Sequence, residues 1–308
     1  MEMIIPKTTT DATFNSSNVV ETDETEWNGT VASYSTDDYV MVTTTDVHRV
    51  YQAIVDITGS GGNLSPEVDV LEPIPKWIET SSTNRWRMFH PEGGEQTSRL
   101  DNITVEIETG TIINSVALLD LDAHTVQVIM TDPFAGIVYD NTIDLVTGSG
   151  ITNWYNYYFD PITRLSDVVL LDLPPYSAAV VKIIISSNAT TIARCGIAML
   201  GNFKYLGLTQ YGASLGISDY SIKTVDDFGR STITKRSFVK NMSVDIVLQS
   251  GMTDDVHKTL SENRATPLVW IGSDLYTSTI IYGYFRDFDV VIANNAQSEC
   301  SIEIEGLV

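Results

Sequence analysis

Nearly all of this chain is written with a two-residue period. Apolar and polar side chains alternate in short runs at 103–108, 113–121, 125–132, 137–146, 154–159, 167–173, 179–187 and 191–200, with Gly, Pro, Asn and Asp between them. Such alternation puts successive side chains on opposite faces of a strand. One stretch, 251–263, reads convincingly as helix. Thr253 or Asp254 can cap its first turn, acids sit at its N-terminus, and Val256 and Leu260 are spaced i, i+4. Pro267 stops its continuation. The chain is therefore expected to be mainly β, with sheets stacked or curled on one another.

A chain of 308 residues exceeds one ordinary domain. Residues 1–25, rich in Thr, Ser and Asp, read as an extended arm that dangles or lies on a neighbour. Residues 26–82 read as a small aromatic-rich β module, and 83–200 as a β-sandwich of jelly-roll type. Residues 201–308 read as a β-barrel with one flanking helix, entered through a Gly- and aromatic-rich structured excursion. In its last strand Cys300, Ile302 and Ile304 face one way, while Glu299, Glu303 and Glu305 need water or a partner. The apolar strands beyond residue 80 predict that 81–308 folds without the first 80 residues.

Charge narrows the function. Eighteen Lys and Arg stand against 40 Asp and Glu, a net −22, which disfavours nucleic-acid binding through a basic patch. A wall built from the C-terminal glutamates and the Asp287/Asp289 pair would instead repel phosphate, although the same charge suits plain solubility. The two cysteines, Cys195 and Cys300, fall in apolar strand patterns and are expected as buried free thiols. No apolar core of a signal peptide opens the sequence and no apolar run is long enough to span a bilayer, so synthesis in a cytoplasm without membrane insertion is expected.

Few residues suggest chemistry. Gly59-Ser60-Gly61-Gly62 lacks the Lys and the following helix of a phosphate cradle, and no cofactor is expected. Asp120, Asp122 and His124 would share one face of a strand and are the best candidate metal ligands, against a plain solvent face beside Leu119 and Leu121. Asp254, Asp255 and His257 raise the same question, but acids there already suit a helix N-terminus. No acid pair is singled out for glycoside cleavage. The chain is not expected to be an enzyme.

Two resemblances add to this. The order Trp27, Gly29-Thr30, Tyr34, Tyr39-Val40, Val50-Tyr51-Gln52-Ala53 and Trp77 resembles small carbohydrate-binding modules of the chitin-binding type. That implies Trp27, Tyr51 and Trp77 stacking on sugar rings; the competing reading is that all three form the core of a tiny domain. The second resemblance spans the chain. It is carried by Asp11-Ala12-Thr13-Phe14, Thr83-Asn84-Arg85-Trp86, Leu118-Leu119-Asp120-Leu121-Asp122, Tyr211-Gly212-Ala213-Ser214, Asp219-Tyr220-Ser221, Phe228-Gly229, Thr266-Pro267-Leu268-Val269-Trp270-Ile271-Gly272 and 301–307. These segments resemble uncharacterised phage and prophage virion proteins encoded among tail and baseplate genes. The C-terminal module is similar to the tail-tube and distal-tail fold, a β-barrel with a helix that assembles into rings. The resemblance implies a virion tail protein whose partners are other tail or baseplate proteins and itself. A host-surface glycan is a further partner under the carbohydrate-binding reading.

Overall fold

Alternation makes strands, and pairing decides which faces are buried. The computed structural model describes residues 1–30, 33–58, 64–91, 94–146, 153–159, 163–249, 251–273, 276–292 and 297–307. The protein is mainly β. The arm supplies β1 (Glu2–Pro6) and β2 (Phe14–Ser17). The small module holds β3 (Thr25–Glu26), β4 (Ser33–Tyr34), β5 (Tyr39–Val42), β6 (Arg49–Ala53), β7 (Ile57–Thr58), the helical turn α1 (Pro66–Asp69) and β8 (Trp77–Ser82). The centre holds β9 (Thr97–Leu100), β10 (Asn102–Glu108), β11 (Ser115–Asp122), β12 (Thr125–Asp132), β13 (Gly136–Asp144), α2 (Trp154–Phe159), β14 (Val168–Leu170), β15 (Val180–Ser186) and β16 (Ile192–Tyr205). The C-terminal part holds β17 (Leu208–Thr209), β18 (Ser214–Asp219), β19 (Ile222–Val225), β20 (Ser231–Thr234), β21 (Phe238–Gln249), α3 (Thr253–Glu262), β22 (Leu268–Ile271), β23 (Ile280–Val291) and β24 (Gln297–Gly306).

The central strands form a jelly roll. One sheet runs β9-β16-β11-β14 and the other β10-β15-β12-β13, all antiparallel. Every connection from β9 to β16 crosses between sheets except the hairpin β12–β13, which is the eight-strand double Greek key. Their inner faces interdigitate: Ile103, Val105 and Ile107 with Val181, Ile183 and Ile185 on one side, Val116, Leu118, Ala198 and Leu200 on the other.

The first sheet does not stop at the sandwich. It continues from β16 through β1, β22, β23 and β24 to β21. The sheet curls, and the chain leaving β16 reaches β21 as β17, with Leu208 opposite Val247. Inside the curl Met3, Met242, Val244, Ile246, Trp270, Cys300, Ile302 and Ile304 meet Val256 and Leu260 of α3. The i, i+4 pair read from the sequence is thus the buried face of the helix. Neither Thr253 nor Asp254 caps it: Met252 stands at the cap without a side-chain bond, and the Thr253 hydroxyl faces that of Ser298 instead at 3.2 Å. Because Leu260 is fully buried, Leu260→Ala should cost about 2–5 kcal/mol. An unchanged urea midpoint would show that the helix is not packed there.

Three expectations meet a different structure. The arm is extended but not free: β1 lies inside the sheet, antiparallel to β16 on one side and β22 on the other, while β2 extends the second sheet beside β10. Met3 faces the barrel core and Ile4 the reverse face, where it meets Ala117, Leu119, Met199, Val269 and Ile271. Residues 81–308 alone therefore lack a central strand of their own sheet, which argues against their folding independently. The boundary at 200/201 falls within β16, a single 14-residue strand shared by sandwich and barrel. Finally, 154–159 is helix α2 rather than a strand. It lies in sequence between Val146 and Arg164, which form an isolated bridge, and among the described residues no strand pairs with it.

Candidate functional site

The aromatic platform expected at Trp27, Tyr51 and Trp77 is not on a surface. Tyr51 and Trp77 are 3% and 1% exposed, and with Tyr34, Val40, Val42 and Ile57 they form the core of the small module. The Trp77 ring meets Tyr34 edge-on at 5.1 Å. Trp27 is half-buried, its ring lying over Gly29, where a Cβ would come within 2.9 Å. A ring stacks on a sugar only with a free face, so Tyr51 and Trp77 cannot serve. With so few residues to bury, the module spends its large side chains on its own interior.

Asp120, Asp122 and His124 are likewise not brought together. Asp120 takes a left-handed conformation (φ 54°), which breaks the strand alternation that would align it with Asp122. Its carboxylate accepts from the Gln96 amide at 2.8 Å. His124 holds Ser187 at 3.1 Å and has the Arg164 guanidinium at 2.8 Å from Nε2, and Arg164 also lies 3.7 Å from Asp122. His124 and Asp122 thus share the Arg164 guanidinium, and Asp120 bonds elsewhere. Among the described residues, no group of three His, Cys, Asp or Glu side chains could hold a metal ion. On the helix, Asp255 pairs with Lys204 at 2.5 Å and the His257 ring packs on Phe288 at 5.5 Å. Gly59-Ser60-Gly61-Gly62 lies outside the described residues.

Where sandwich meets barrel, a cleft of about 480 Å³ is lined by Asp120, Asp167, Gly196, Phe238, Lys240 and Tyr282. Its charges are committed to holding the two halves together. Lys240 of β21 pairs with Asp167 at 2.9 Å, and the Tyr282 hydroxyl donates to the carbonyl of Pro91 at 2.5 Å. Burial pushes the Tyr282 phenol well above its ordinary range. The thiols of Cys195 and Cys300 are free and buried, and burial, with Asp289 and Asp245 nearby, raises the Cys300 thiol to about 11. Neither is a nucleophile at neutral pH.

Among the described residues, two exposed aromatic and apolar surfaces stand out. The first is α2. Trp154, Tyr155, Tyr157, Tyr158 and Phe159 are all 61–77% exposed, with Trp154 stacked on Tyr158 at 6.3 Å and Tyr155 against Phe159 at 4.9 Å. The sequence reads 154–159 as a strand of the sandwich, and nothing in that reading places its five rings on the surface. The second is the hairpin between β17 and β21. β18 pairs with the start of β21, Asp219 opposite Phe238, and β19–β20 extends the ribbon beyond it. From Tyr211 to Phe238 every residue except Ser218 and Ser221 is exposed. No protein-family model matches the chain, and no curated protein matches it.

Proposed function

We propose that the protein is a structural component of a bacteriophage virion, in the tail, the baseplate or the tail-fibre attachment, and that it acts by assembly with other tail proteins and with itself. The observation that carries this is the hairpin. An isolated two-stranded ribbon is marginal in water, and exposed strand edges and apolar side chains invite pairing. This one carries nine large exposed hydrophobic residues, among them Tyr211, Ile217, Phe228 and Ile233. Segments that resemble the virion family, Tyr211-Gly212-Ala213-Ser214, Asp219-Tyr220-Ser221 and Phe228-Gly229, lie on it. The reading requires no catalytic residue and no cofactor. A protein inventory of purified particles tests it: the chain should be present in fixed stoichiometry to other tail proteins, and its absence from particles overturns the proposal.

A second reading, binding of a host-surface glycan, is favoured by α2. Its rings combine flat apolar faces with phenol hydroxyls, which suits stacking on sugar. Trp154→Ser with Tyr158→Ser should abolish retention on whichever of chitin, peptidoglycan or lipopolysaccharide holds the wild type. Stability should shift by no more than about 0.5 kcal/mol, since both side chains are exposed. Equal retention of variant and wild type would defeat this reading.

A further inference from the structure

We propose that the β18–β21 hairpin of one copy docks across the acidic outer face of the barrel of a second copy, joining chains head to tail. This rests on the assembly reading above and names its partner. The hairpin is the basic part of an acidic protein. Between Ser214 and Phe238, Lys223, Arg230, Lys235 and Arg236 stand against Asp219, Asp226 and Asp227, leaving +1, so the rest of the chain carries −23. Among the described residues none of the four cations enters an ion pair. Two of the three acids also serve the turns: Asp226 accepts from the backbone N–H groups of Phe228 and Arg230, and Asp219 from that of Ser221, with the charge of Lys235 nearby.

The complementary surface is built by register. Asp287 of β23 stands directly opposite Glu303 of β24; in the next rows Asp289 and Asp245 flank Ser301, and Val291 flanks Glu299. All of these side chains are exposed on the outer face. Like charges directly opposite one another destabilise a sheet, and a cationic strand laid over them would relieve that repulsion. Val291 and Ile292, 53% and 77% exposed, border the acids and offer apolar contact to the hairpin's Ile217, Ile233 or Phe228. Within one copy the cations and the acids are held apart. Lys223, Arg230, Lys235 and Arg236 lie on the ribbon beyond Phe238, whereas the Asp287–Glu303 row continues through Ser243 to Ser214 at the base of β18, roughly 16 Å away along β21 at roughly 3.3 Å per residue. Two different patches on one chain make a heterologous contact, which closes into a ring or propagates as a filament.

Light scattering on the purified full chain tests this. The wild type should associate at about 50 mM salt and dissociate at about 1 M, because the contact is steered by exposed charge. Lys235→Glu with Arg236→Glu should weaken association by roughly tenfold or more, as should Asp287→Lys with Glu303→Lys. Combining the two sets should restore it. Circular dichroism should show all variants folded, since each substituted side chain is exposed. A wild type that stays monomeric at low salt, or association that ignores both reversals, would overturn the proposal. Either result leaves particle incorporation to its own test, and absence from particles with intact self-association would sink the virion reading alone.

Discussion

A chain lacking residues 1–6 should lose its single cooperative unfolding transition. β1 is the strand through which sandwich and barrel share one sheet, and it is buried on both faces: Met3 and Ile4 are fully buried. Removing it deletes these side chains at about 2–5 kcal/mol each. It also strips β16 and β22 of a ladder partner along Ile4–Phe203 and Ile4–Val269, leaving buried N–H and C=O groups unsatisfied at about 1–3 kcal/mol apiece. The sum is comparable with the 5–15 kcal/mol or so that holds a typical domain. Ile4→Asp is the single-residue version, placing a carboxylate among Leu119, Met199 and Val269.

Excision of the small module is the control. Its two ends are tied together outside it: the Thr83 hydroxyl donates to Glu21 at 2.6 Å, and the Asn84 N–H to Asp23 at 2.9 Å. Its core is separate from the other three. Replacing 25–82 by a short Gly-Ser linker should leave a cooperative transition at lower temperature, since the frame loses polar contacts at Asp46 and His48, the His90–Glu79 pair and the Arg87 bond to the Ser82 carbonyl, but no part of its own cores. Calorimetry on the two variants decides the matter. An intact transition without residues 1–6 would mean that the sheet does not depend on β1.

What the sequence made legible follows from which forces are local. Alternation located the jelly-roll strands, because each buries one face against the opposite sheet. The helix face at Val256 and Leu260 was legible for the same reason. β1 was not: five residues ending in Pro6, followed by a Thr-rich run, have no local signature, and their place is set by partners roughly 200 and 270 residues away. The run 154–159 has strand-forming aromatics, yet with no strand paired to it among the described residues the i, i+4 ring pairs Trp154–Tyr158 and Tyr155–Phe159 favour a helical turn. Trp27, Tyr51 and Trp77 were correctly grouped, but composition alone does not tell a core from a platform. The segment leading into the C-terminal module was legible as a structured excursion from its Gly and aromatic content, but not as a hairpin. Its exposure was not legible either, because apolar Leu215, Ile217 and Ile233 imply a buried face that this chain alone does not supply.

Glu21→Ala should cost about 3–5 kcal/mol, the price of leaving buried partners of a charge unpaired. Glu21 sits at the junction of arm, module and sandwich with its side chain 9% exposed, 2.7 Å from His48 Nδ1 and 3.0 Å from Arg85, and it accepts from the Thr83 hydroxyl. Asp11 lies 3.8 Å from the other nitrogen of His48, whose ring packs on Trp86 at 5.2 Å. Burial by itself would raise the Glu21 carboxyl. The hydrogen bonds from His48 and Thr83, with the charges of His48 and Arg85, outweigh it and hold the group below the ordinary carboxylate range. In the unfolded chain a glutamate titrates near about 4.3. The stabilisation is therefore fully present above that pH and is lost as pH falls through the lower folded value. Glu21→Gln has nothing to titrate at this position. The gap between the urea midpoints of wild type and Glu21→Gln should be widest at neutral pH and shrink as acid protonates the carboxylate. Midpoints that run parallel from neutral pH down to about pH 3 would show that Glu21 is not the charge that pins the arm to the junction.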